Sequence, residues 1–85
     1  MKHAGPAALA QLETILARLR DTPGLIEKKR GVFYVKSRAF LHFHEDPSGL
    51  YADIRNAAGD FDRVKLEGQD GEDELVALAV ARSRP

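Results

Sequence analysis

Between Val32 and Glu45, apolar and polar side chains alternate with a period of two, the clearest pattern in the chain. Val32-Phe33-Tyr34-Val35 and Ala39-Phe40-Leu41-His42-Phe43 are rich in β-branched and aromatic residues, which suit a pleated, half-buried surface. Lys36-Ser37-Arg38 between them is polar and of hairpin-loop length. Strand side chains point alternately to opposite faces. Phe33, Val35, Leu41 and Phe43 therefore form an apolar face, and Tyr34, Lys36, Phe40, His42 and His44 an aromatic and basic one. The first is the face to bury. A slip of one residue would carry Lys36, His42 and His44 into the core, so the register is firmly specified.

Helical spacing takes over on either side. Leu9, Leu12, Leu16 and Leu19, with Ala8 and Ile15, recur at three- and four-residue intervals, which predicts one amphipathic helix over 7–20. Pro6 suits its first turn, and Asp21-Thr22-Pro23-Gly24 ends it. Leu25–Lys28 reads as a short edge strand. After the turn Asp46-Pro47-Ser48-Gly49, Leu50, Ala52 and Ile54 alternate with Tyr51, Asp53 and Arg55. A second turn, Asn56–Asp60, leads to a last strand over 61–67, with Val64 and Leu66 inward and Arg63 and Lys65 outward. Asp70 is the candidate N-cap of a closing helix that Leu75, Val76, Leu78, Ala79 and Val80 drive to about Ser83. Residues 1–5 read as a loose, flexible tail.

The pattern predicts a single α+β domain over 1–85. It is a two-layer sandwich: helix, a three- or four-stranded antiparallel meander, helix, with both helices on one sheet face. The other face is left open.

Composition narrows the function classes. The chain holds no cysteine, which excludes disulfides, thiol catalysis and cysteine-ligated zinc. No apolar run approaches the ~20 residues of a membrane span, so the expectation is a soluble, cytoplasmic protein with no membrane partner. Thirteen basic side chains balance thirteen acidic ones, which disfavours nucleic acid as a general partner.

The segment Ser37–Asp46 followed by Gly49–Asp53 resembles the small "luciferase domain" family, whose members share an extended Phe-x-His-x-His element, a turn and a strand. Thr22-Pro23-Gly24 and Asp73-Glu74-Leu75 fit the same pattern, and the chain is shorter after Arg55 than such members. The resemblance carries over no catalytic residue. In element order alone the chain is similar to YjbR-like α+β domains.

Candidate chemistry sits on the open face. His42 and His44 point the same way from one strand, and imidazoles with carboxylates from Glu45, Asp46 or Asp53 hold zinc or a similar divalent ion. Asp53 would be a third ligand or an orienting partner. The same histidines suit acid–base work, but no nucleophile–base pair or phosphate loop accompanies them. A binding surface of Tyr34, Phe40, His42, His44, Tyr51, Asp53 and Arg55, with Phe61 beside it, is the broader reading. Its partner would be a protein, a small ligand or a second copy of the chain. Stacking of single-stranded nucleic acid, helped by Arg38, Arg55 and Lys65, is a lesser version. The expectation is a non-enzymatic binding module with no resident cofactor; the alternative is a metal-binding protein centred on His42 and His44.

Overall fold

The computed structural model describes residues 1–84. It is an α+β fold: β1 (Lys2–His3), α1 (Pro6–Gln11), α2 (Glu13–Arg20), β2 (Ile26–Lys29), β3 (Val32–Val35), β4 (Arg38–Asp46), β5 (Gly49–Arg55), β6 (Phe61–Lys65) and α3 (Gly68–Arg82). β2 to β6 form an antiparallel meander in chain order, and β1 adds to β4. The sheet is thus longer than the three or four strands expected. No helix among the described residues is long and apolar enough to cross a membrane.

The alternation acts as read along most of the sheet. Phe33, Leu41, Phe43, Ala52, Ile54 and Val64 join Leu12, Ile15, Leu16 and Leu19 of the first helical segment and Leu75 and Ala79 of α3 in one buried core. Both helical segments therefore seal the same sheet face. A buried carboxylate helps to join them: Glu72 of α3 accepts from Arg18 of α2 at 3.0 Å and from Gln69 at 2.7 Å. Lys36 and Ser37 both have positive φ, 50° and 70°, the backbone that a two-residue hairpin turn needs to match strand twist.

Four local expectations change. The first concerns Phe40, expected on the open face but only 5% exposed and part of the core. Phe33 pairs with Leu41 while Tyr34 pairs with Ala39, so two steps along β4 match one along β3. This bulge takes Phe40 out of the alternation and lets it turn inward, where burying an aromatic ring is favourable.

The second concerns residues 1–5, which are tied down rather than loose. Lys2 pairs with Glu45 and His3 with His44. The Glu45 carboxylate accepts the Gly5 N–H at 2.6 Å, and Ala4 donates to the Phe43 carbonyl at 3.0 Å. β1 takes up backbone groups of β4 that β3 is too short to reach. Buried or edge N–H and C=O groups demand such partners.

Third, the first helix breaks at Leu12, whose φ and ψ are −98° and 10°. Leu12 donates to the Leu9 carbonyl, one residue tighter than an α-helical bond, and the break lets Leu12 join the core. Fourth, α3 begins at Gly68, so Asp70 lies in its first turn and is not the cap. Gly71 explains how α3 approaches β6: a Cβ there would stand 2.6 Å from the Lys65 carbonyl oxygen.

Candidate functional site

The register of three strand pairs builds the site. His3 stands opposite His44, His42 opposite Asp53, and Asp53 opposite Arg63. Directly paired residues on one face have their Cβ atoms about 5 Å apart, so five polar side chains from four strands meet on the face that carries no helix.

Asp53 is the hub. Its carboxylate takes a forked pair of hydrogen bonds from Arg63, at 2.8 and 3.0 Å. The Nε2 atoms of His44 and His42 lie 3.1 and 3.5 Å from the same carboxylate. Although no helix covers it, the Asp53 side chain is only 12% exposed. The Arg63 guanidinium, above all, holds the Asp53 carboxyl below its ordinary pKa, against the opposing effect of burial. Burial lowers the pKa of His42, with Asp53 partly countering it, so His42 is a neutral imidazole near neutrality.

The three imidazoles form a triangle on this face, His3 also standing 5.8 Å from His42. His3 stacks on His44 with centroids 4.8 Å apart, and His42 meets His44 edge-on at 4.9 Å. Phe61 meets His42 edge-on at 5.2 Å, and the Arg55 guanidinium lies 4.6 Å over Phe61. The Nε2 of His44 faces Asp53. Its Nδ1 is the one buried side-chain polar atom without a hydrogen-bond partner among the described residues. Such a group costs about 1–3 kcal/mol.

His42, His44 and Asp53 each offer a donor atom, and the three donors lie within 4.8 Å of one another. Zinc at ~2.0–2.1 Å from tetrahedral ligands needs them roughly 3.4 Å apart, so closing by up to about 1.4 Å would complete a two-imidazole, one-carboxylate set. His3 supplies a further imidazole alongside. No protein-family model, curated protein or solved structure matches the chain. The geometry is therefore the whole basis for a functional reading.

The other expected site residues divide. Glu45 is used to hold Gly5. Asp46 accepts from the backbone and hydroxyl of Ser48, so neither carboxylate joins the histidines. Tyr51 shares a 2.6 Å hydrogen bond with Ser48. Tyr34 lies under the Lys28 ammonium and, with His3 and His42, lines a cleft of about 340 Å³ beside β1. Arg55 is fixed by the carbonyls of Ala39 and Gly59, both at 2.7 Å. Phe40 is in the core and contributes nothing to this face.

Two members were missed. Arg63 was legible: a turn that pairs Arg55 with Phe61 must pair Asp53 with Arg63. His3 had no local signal, because two residues cannot show a strand period.

Proposed function

We propose that the protein is a soluble, cytoplasmic binding domain whose open sheet face is the working surface. The ligand we assign to that face is a divalent transition-metal ion of the zinc type, taken by His42, His44 and Asp53. One observation carries this reading: three ligand-type donors converge within 4.8 Å. The neutral state of His42 supports it, since a metal competes with the proton for imidazole. Arg63 is the counterweight. It neutralises Asp53 while the metal is away, and its half-exposed side chain, 48% accessible, is free to swing into solvent as the ion arrives. Catalysis is not part of the proposal. Asp53, the natural base, has its carboxyl lowered by Arg63 below its ordinary pKa, away from rather than toward neutrality.

The test is a zinc titration followed through the imidazole NMR signals. Site-specific shifts at both His42 and His44 at micromolar zinc are expected, weakened in the Asp53→Asn variant, which keeps both imidazoles. A hundredfold excess over the dissociation constant should stabilise the fold by about 2.7 kcal/mol. Unmoved signals at both residues would remove the metal. A second reading, that this face joins two copies or docks another protein, draws on the exposed Phe61 ring beside the histidines. Solution mass separates it: a strict 9.4 kDa species whose Tyr34 and Tyr51 signals answer to no partner removes it.

A further inference from the structure

At the far end of the sheet from β1, the β3–β4 turn, the β5–β6 turn and the last turn of α3 enclose a second cleft, of about 420 Å³. That volume lies within the ~300–1,000 Å³ of small-molecule sites. Its lining is of two kinds. Val35, Ala39, Phe40 and Ala81 give an apolar interior, and Lys36, Arg38, Arg55 and Arg82 give four cations; among the described residues no carboxylate side chain lines it.

The four cations are not equivalent. Arg55 is engaged by two carbonyls. Arg82 pairs with Asp62 at 3.0 Å and donates to the Arg55 carbonyl. Lys36 and Arg38 are exposed, and neither enters an ion pair among the described residues. The hairpin turn therefore presents two uncommitted positive charges at the mouth of a mostly apolar hollow. The C-terminal carbonyls of α3 add negative partial charge at this end; Arg82 brings a positive charge to the same last turn. The bulge that turns Phe40 inward is what gives the hollow its aromatic wall.

We infer that this cleft binds a small amphipathic organic anion, with an aromatic or aliphatic body against Phe40, Val35 and Ala81 and an acidic head between Lys36 and Arg38. Arg and Lys recognise carboxylate, sulfonate and phosphate groups by charge-assisted hydrogen bonds, and the apolar walls supply burial for the body. The inference is independent of the metal proposal, since it uses none of the same side chains.

The probe is 1-anilinonaphthalene-8-sulfonate, followed by fluorescence and by backbone amide shifts. Binding is expected with shifts confined to the two turns and the end of α3, and the uncharged analogue lacking the sulfonate should bind at least tenfold more weakly. Arg38→Glu should weaken the probe at least tenfold. Ala81→Trp, at an exposed helix position, should block the cleft without changing its charge. Both variants must keep the wild-type amide spectrum elsewhere, and both sites are exposed enough for that. Absence of binding, shifts scattered over the sheet face, or equal affinity for the uncharged analogue would each overturn the assignment.

Discussion

On the helix-covered side of β4 and β5, Leu41, Phe43, Ala52 and Ile54 are at most 3% exposed. On the other side of the same two strands, the His42, His44 and Asp53 side chains are 22%, 12% and 12% exposed with no helix above them. The first side is dry because two helical segments lie on it. The second is mostly shielded because two imidazoles and a guanidinium converge on one carboxylate. Enclosure by apolar surface is complete and enclosure by mutually paired polar groups is partial, and the two respond to different perturbations. The apolar side depends on volume, and the polar side on charge state and on every partner being present.

The largest effect should come from the apolar side. Phe43→Ala, at a position 3% exposed, is expected to cost about 3–5 kcal/mol in denaturant unfolding. A cost under about 1 kcal/mol would mean that the helices do not seal this face. Next, Asp53→Ala removes the partner of Arg63, His42 and His44 together. Breaking a fully buried pair costs about 3–5 kcal/mol; with Arg63 half exposed, about 2–3 kcal/mol is expected from the same unfolding measurement. Indifference to this change would show that the polar side is decoration. Tyr51→Ala, whose hydroxyl meets only the exposed Ser48, should cost about 1 kcal/mol or less, so a loss comparable to that at Phe43 would erase the distinction between the faces.

The smallest effect is the most specific to the polar side. His42 has its pKa lowered from the ordinary 6.5 by burial. Its folded form resists a proton that its unfolded form accepts. Stability should be at its full value above 6.5 and should decline as pH falls from there through the lowered native value. Asp53, held below 3.8 chiefly by Arg63, adds a further decline only in stronger acid. Thermal midpoints measured across pH should therefore fall on mild acidification, and His42→Gln should flatten that first decline while sparing the second. A midpoint that rises as pH drops below 6.5 would reverse the assignment of what faces His42.

Inside and outside were readable for most of the sheet because alternation is a local property. Phe33, Leu41, Phe43, Ala52, Ile54 and Val64 each sit where their parity puts them, since only one parity buries apolar area without burying charge. His42, His44 and Asp53 were legible as a group for the same reason. Phe40 was not, because a bulge appears only once β3 and β4 are paired and their steps counted against each other. The break at Leu12 was hidden too, since its leucines keep helical spacing on both sides.

The chain's own order of residues determined the α+β class, the strand parity and the buried face, all of which follow from period-two and period-3.6 patterns within a dozen residues. Only the tertiary structure decided that His3 joins His44 across 41 positions of sequence and that Phe40 walls a cationic cleft. Both depend on which backbone hydrogen-bond partners a strand finds, and that pairing leaves no mark on local periodicity.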